Sequence, residues 1–382
     1  MYNRIIYPHL LKSKKSILLL GPRQVGKSTL INSLKPDLKI NLAEEAEYFL
    51  FLTQLSELEG RIRATKAKTI FIDEIQRIPR LMNSIQALID NNRDLKFYIT
   101  GSSARKLNKG KANLLPGRVF NYQMMPLCFS EIKNDYDENK ALQYGLLPEV
   151  YSMDSVSDKK KLLQSYANLY LKEEVIAESQ VRGIEGFVRF LKEAAISSGH
   201  FLDYSKISKK SKVARQSVIR HFEILEDTLI TRKVGNDPDL DPEQVDLIKH
   251  PKHYFFDVGV VNALNGSFDL SHDRIGLLWE HYVYNQITNS AFAFDKEINC
   301  YNFRTRGGLE VDFIVSNGSE KFAVECKSSI TASSEDSKNL LQINNYYKKI
   351  TKILVYRGKH EKKENGIWIV PLSKMLDIIG MK

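Results

Sequence analysis

The chain has 382 residues, of which 43% are hydrophobic and 27% charged, and its 56 Lys+Arg against 46 Asp+Glu give a net charge of +10. That length exceeds one ordinary core and predicts two or three domains, while the composition excludes an intrinsically disordered chain. The basic excess favours a polyanionic partner without establishing one.

Ser16-Ile17-Leu18-Leu19-Leu20 is an apolar run of strand length, too short for a signal peptide's apolar region. No run approaches the roughly 18 apolar residues of a membrane span. The three cysteines, Cys128, Cys300 and Cys326, are odd in number, far apart and without metal-ligand spacing. Free thiols in a reducing compartment, and hence a cytoplasmic location, are expected.

The first strand runs into Gly21-Pro22-Arg23-Gln24-Val25-Gly26-Lys27-Ser28-Thr29 and then a helical pattern. This is G-x-x-x-x-G-K-[ST] in the strand–loop–helix setting the motif requires. The glycines let the backbone wrap phosphate oxygens, and free amides at the helix N-terminus supply positive potential. Lys27 is expected to reach the β- and γ-phosphates of ATP, and Ser28 to ligate Mg²⁺. Thr69-Ile70-Phe71-Ile72-Asp73-Glu74 reads as a second buried strand ending in two carboxylates. Asp73 is assigned to Mg²⁺, and Glu74 to polarising the attacking water. The strand Leu95 to Ile99 ends in Thr100-Gly101-Ser102-Ser103, where Thr100 or Ser102 is expected to sense the γ-phosphate, Ser103 less so. A helical stretch and a fifth strand, Val119 to Met124, follow. Arg118, just before that strand, is read either as an arginine finger donated to a neighbouring subunit's ATP in a homo-oligomer or as a surface arginine.

The runs GPRQVGKST, TIFIDEIQRIP, YITGSS and LPGRVF…MPLCFSE together resemble the AAA-type ATPase domain of a bacterial and archaeal family. In that family a C-terminal region of unknown function follows, and the resemblance spans essentially the whole chain.

A helical lid or linker is expected over about 126–165, and helices over 159–198. Tyr204 to Ser208 reads as a short helix, Lys209-Lys210-Ser211-Lys212 as a turn, Ala214 to Leu225 as a second helix and Leu229 to Val234 as a strand. This is the outline of a winged helix-turn-helix. Between Lys206 and Arg220 stand six basic residues (Lys206, Lys209, Lys210, Lys212, Arg215, Arg220) and no acidic one. With Gln216 and Ser217 they form the candidate DNA-binding face; the alternative is a protein-docking module with a solvated basic surface.

From about 252 the order reads strand, helix, three strands, helix, strand. Alternation puts Ala323, Glu325 and Lys327 on one face, and Asp312 opposite in facing to Val311 and Phe313. Asp312 and Glu325 are assigned to Mg²⁺ or Mn²⁺, Lys327 to orienting or deprotonating a water, and Glu280 on the preceding helix to a further ligand. This order is similar to the PD-(D/E)xK nuclease core, especially to archaeal Holliday-junction resolvases, although Val311 stands where many members have proline. A relic whose ion pairs no longer support hydrolysis is the alternative.

The expected fold class is α/β throughout: a P-loop parallel-sheet ATPase domain over 1–150, a helical region with a winged helix over 151–245, and a restriction-endonuclease-like domain over 246–382. The expected function is an ATP-hydrolysing, DNA-binding protein with a metal-dependent nuclease domain acting on DNA, branched DNA included. Two alternatives stand beside it. One is an ATP-driven switch that binds DNA or protein and cuts nothing; the other is a chaperone-like or signalling ATPase.

Overall fold

The computed structural model describes residues 2–102, 115–170, 184–241, 245–332 and 334–381. Ser103 and the helical stretch expected after it lie outside these residues.

The N-terminal sheet comprises β1 (Ser16–Leu20), β2 (Leu38–Asn41), β3 (Thr69–Asp73), β4 (Lys96–Gly101) and β5 (Val119–Gln123). All pairings are parallel and the spatial order is β2-β3-β4-β1-β5. The apolar runs of β1, β3 and β4 fit burial on both faces. Leu18, Ile70, Ile72, Phe97 and Ile99 pack on one side with Phe51, Leu58, Leu81 and Ile85. These partners lie on the helices Glu45–Thr53, Glu57–Thr65 and Leu81–Asn91. The alternate residues Ile17, Leu19, Phe71 and Tyr98 face a second core. It also contains Ile31 of α1 (Lys27–Ser33) and Leu163, Tyr166, Phe190 and Phe222 from the middle of the chain. The sheet and the middle region therefore share one continuous core.

The stretch 126–165 is helical as expected, with helices Phe129–Ile132, Glu138–Tyr144, Pro148–Ser152 and Val156–Ser165. Beyond it lie α2 (Ile184–Ile196), α3 (Tyr204–Ser211) and α4 (Arg215–Asp227). The side chain of Asp203 caps α3 by accepting from the Ser205 and Lys206 amides. This helix is longer than expected and takes in Lys209, Lys210 and Ser211. The turn begins at Lys212, whose φ of 54° ends the helix in the left-handed region. Ser211 explains the difference: its hydroxyl bonds the Ile207 carbonyl and stays in the last turn. A two-stranded antiparallel sheet follows, β6 (Thr231–Val234) with β7 (Lys252–Phe255). The strand expected at 252 to open the C-terminal sheet thus belongs to the middle of the molecule.

After α5 (Val258–Asn265) and α6 (His272–Ala293) comes a six-stranded mixed sheet, ordered β12-β13-β11-β10-β9-β8. Its strands are β8 (Ile298–Arg304), β9 (Glu310–Asn317), β10 (Glu320–Lys327), β11 (Thr351–Tyr356), β12 (Lys362–Glu364) and β13 (Ile367–Val370). The three antiparallel strands and the parallel β11 match the expected order; β12 and β13 extend it. Trp279, Tyr282, Val283 and Ile287 of α6 bury against Phe313, Val315, Phe322 and Val324.

α6 is fastened to β7 by His281, whose Nε2 donates to the Phe255 carbonyl at 2.7 Å. Burial pushes this imidazole down to about 4, against that hydrogen bond, which works to raise it. The unfolded chain takes up the proton first, so stability present above pH 6.5 is lost as pH falls toward 4. The full loss is about 3 kcal/mol. In urea melts across that window, His281→Gln should flatten the acid slope by one proton; an unchanged slope refutes the assignment.

Candidate ATP site and a C-terminal carboxylate cluster

β1 ends where the chain must turn sharply back toward β5. A Cβ on Gly21 would meet the Met124 carbonyl at 2.0 Å, and Gly26 has φ of 95°, so both positions require glycine. Lys27 is buried, and its Nζ donates to the carbonyls of Gly21 and Pro22 at 2.8 Å each. The ammonium is thereby held within the loop formed by residues 21–26. Pro22 and Val25 are buried, Arg23, Gln24 and Ser28 partly so, and Thr29 is exposed.

The strand order sets the rest. β4 lies between β1 and β3, so its C-terminal end stands between the glycine loop and Asp73. The Thr100 hydroxyl hydrogen-bonds Asp73 Oδ1. Ser102 is one step removed: its Oγ accepts from Gln76 Nε2 at 2.9 Å, and Gln76 Nε2 also bonds the Glu74 carboxylate. Glu74 itself has φ of 59°. Of the two hydroxyls considered from sequence, Thr100 touches the acid expected at Mg²⁺, and Ser102 acts on Glu74 through an amide.

Gln76 was missed by sequence reading. Its signal was a lone amide between Ile75 and Ile78 directly after the acidic pair, and it is only 5% exposed. Arg4 was also missed, and a single arginine near the N-terminus gave no signal. It donates to the carbonyls of Val25 (2.8 Å) and Met125 (2.7 Å) and pairs Glu131 at 2.9 Å.

Arg118 is not brought to this site. Val119 pairs with Ser16 and Gln123 with Leu20, so Arg118 stands at the end of the sheet opposite the glycine loop. There it makes a two-pronged contact with Asp90, Nε–Oδ1 2.7 Å and NH2–Oδ2 2.9 Å. Arg118 therefore serves no nucleotide bound by its own chain; the finger expected from sequence is for a neighbouring subunit's ATP.

In the middle region Lys206, Lys209, Lys210, Lys212, Arg215, Gln216 and Arg220 are all exposed. Val218, Phe222 and Leu225 turn the other face of α4 inward. Lys206 and Lys210 also border a cleft of about 770 Å³ that reaches Lys252, Glu280, Arg304 and Glu310.

Of the C-terminal candidates, Glu280 lines that cleft. The antiparallel register pairs Val324 with Phe313, which places Glu325 opposite Asp312. Lys327 Nζ lies 3.0 Å from Glu325 Oε1. Asp312 Oδ2 accepts the Cys326 amide at 2.7 Å. Burial, then the Glu280 and Glu325 carboxylates, hold Asp312 well above the usual carboxylate range. Burial also raises Glu325, with Lys327 opposing it. Glu280 is already engaged, by Lys252 Nζ at 3.0 Å and the Tyr254 hydroxyl at 2.5 Å. Among the described residues no group of three or more His, Cys, Asp or Glu is placed to hold a metal ion. The expected ligand set Glu280, Asp312 and Glu325 is therefore brought together but not arranged as one, and Lys252 stands beside Glu280.

The glycine loop, Asp73 and the intervening β4 define an AAA-type P-loop domain. Residues 13–133 match the family described as an AAA domain. Residues 136–271 and 275–375 match two families described as domains of unknown function, DUF8612 and DUF4143. The second junction falls where α6 begins. An uncharacterized Methanocaldococcus jannaschii protein is 24% identical over 355 residues, covering 85% of this chain and 77% of the relative. An uncharacterized Mycobacterium tuberculosis protein is 24% identical over 357 residues, 90% and 77% respectively. Among solved structures, the replication initiator DnaA bound to AMPPCP and single-stranded DNA matches with a TM-score of 0.29 at 9% identity, over 58% of this chain and 85% of that one. That likeness is too slight to bear on function. Among the described residues no helix is long and apolar enough to cross a membrane.

Proposed function

We propose that the chain is an ATP-hydrolysing, Mg²⁺-dependent switch that binds DNA through its middle region. The observation carrying this reading is the linked set Lys27, Asp73–Thr100 and Glu74–Gln76–Ser102 at the C-terminal ends of β1, β3 and β4. Lys27 and the loop amides would neutralise the phosphates. Ser28 and Asp73 offer hard oxygen donors suited to Mg²⁺. Glu74, oriented by Gln76, would take the proton from the attacking water. The shared core and the Tyr166 hydroxyl, 3.3 Å from the Arg23 carbonyl, link the glycine loop to the helical middle.

DNA is assigned to the exposed basic face of α3 and α4, in the manner of a winged helix-turn-helix. Replacing Lys209, Lys210 and Lys212 together by Ala should weaken binding on every sequence tested. It should also lower the log–log salt slope by about 3. Fluorescence anisotropy at several salt concentrations reads both; an unchanged slope places the DNA site elsewhere.

One observation favours a second reading, in which the C-terminal domain cleaves DNA with Mg²⁺ or Mn²⁺. Glu325 Oε2 is buried without a hydrogen-bond partner, beside Asp312 and Lys327. Duplex, forked and four-way-junction DNAs incubated with each metal, with and without ATP, test it. Cleavage abolished by Asp312→Asn supports the nuclease, and intact DNA throughout removes it.

A further inference from the structure

We propose that Lys252 is the resident cation of the C-terminal carboxylate cluster, and that a divalent ion enters only where its ammonium is withdrawn. The inference rests on reading Glu280, Asp312 and Glu325 as a cation-binding group.

Lys252 comes from β7, outside the sheet that carries Asp312 and Glu325. Its side chain is 4% exposed, and Nζ lies 3.0 Å from Glu280 Oε1 and 3.3 Å from Glu310 Oε1. Tyr254, two residues along the same strand, donates to the same Glu280 oxygen. A lysine is buried this deeply only where neighbouring charges offset its lost hydration. Here the neighbours are carboxylates that a metal would also use.

The contacts favour exchange over addition. Lys252 Nζ already occupies Glu280 Oε1 and Glu310 Oε1, and the same Glu280 oxygen takes the Tyr254 hydroxyl, so an ion using that carboxylate would have to displace the ammonium. Glu325 is 6% exposed and its Oε2 has no hydrogen-bond partner, which leaves a ligand atom ready for an incoming ion. β7 is bonded to β6, which follows α4 in the chain. Access of the cluster to metal is thereby tied to the position of the middle region against α6.

The test uses the full chain without nucleotide, carrying Asp73→Asn in every sample to silence metal binding at the P-loop. Mn²⁺ binding is followed by calorimetry and by electron paramagnetic resonance. With Lys252 present, no Mn²⁺ should bind in an Asp312-dependent manner. Lys252→Met should bind one Mn²⁺ at least about tenfold more tightly, and Asp312→Asn added to it should remove that gain. Asp312-dependent binding of equal strength with Lys252 in place overturns the proposal. So does a folded Lys252→Met with no gain. Should Lys252→Met fold poorly, Mn²⁺ must raise its melting temperature while leaving the Lys252 protein unmoved; no rise overturns the proposal. A Lys252→Met that binds Mn²⁺, together with wild type that leaves every DNA intact with either metal, with and without ATP, would remove the nuclease reading and leave this one standing.

Discussion

Lys27→Ala is expected to abolish ATP binding, and Glu74→Gln to preserve binding while losing turnover. The two effects separate because the residues act at different points. Lys27 is held by the carbonyls of Gly21 and Pro22 inside the loop where the phosphates would sit, and without it the phosphates lose that ammonium and are left to the backbone amides and Mg²⁺. Glu74 contributes nothing to neutralising the phosphates. Its carboxylate is oriented by Gln76, so loss of its charge removes proton transfer, worth about a hundredfold or more in rate. Fluorescent-nucleotide titration together with phosphate release measures both. Full turnover in either variant overturns the role given to that residue, and full turnover in both overturns the ATPase reading.

The largest stability effect is expected from Arg4→Ala. The Arg4–Glu131 pair is almost dry, with side-chain exposures of 8% and 0%. Removing the arginine leaves a fully buried carboxylate supported only by the amides of Ile5 and Cys128. Breaking such a pair from one side costs about 3–5 kcal/mol. It also strips the Val25 and Met125 carbonyls of their donor. Arg4→Ala should therefore lower the melting temperature and reduce the further rise produced by ATP, since Val25 belongs to the glycine loop. Arg4→Ala, Glu131→Leu, which removes the stranded charge, should recover much of the melting temperature but not the response to ATP. A double variant as unstable as the single one would show that the buried carboxylate is not the cause.

The P-loop half was legible because its signals are local: glycines at fixed spacing, and apolar runs whose terminal residues necessarily share one edge of a parallel sheet. Thr100 could be placed near Asp73 without knowing any side-chain conformation. The place of Arg118 was not legible, because closeness in sequence to a core strand says nothing about which end of the sheet that residue occupies; the register of β5 on β1 decides it. In the C-terminal domain, alternation placed Glu325 and Lys327 on the correct face. It could not reveal Lys252, whose approach to Glu280 depends on a strand that pairs with β6 instead. Contacts of that kind, between elements distant in the chain, leave no periodicity to read.

The core that Phe71 and Tyr98 share with Phe190 and Phe222 also limits how a nucleotide signal can travel. A hinge that swung the helices clear of the sheet would uncover large aromatic side chains to water, each at a cost of about 1.5–3 kcal/mol. Gape is thus closed to this molecule as a mode of motion. What remains is shear: sliding of packed side chains by fractions of a helical turn, with the interface never opening. A displacement of that size is small, yet comparable to the reach of one ammonium across a pair of carboxylates.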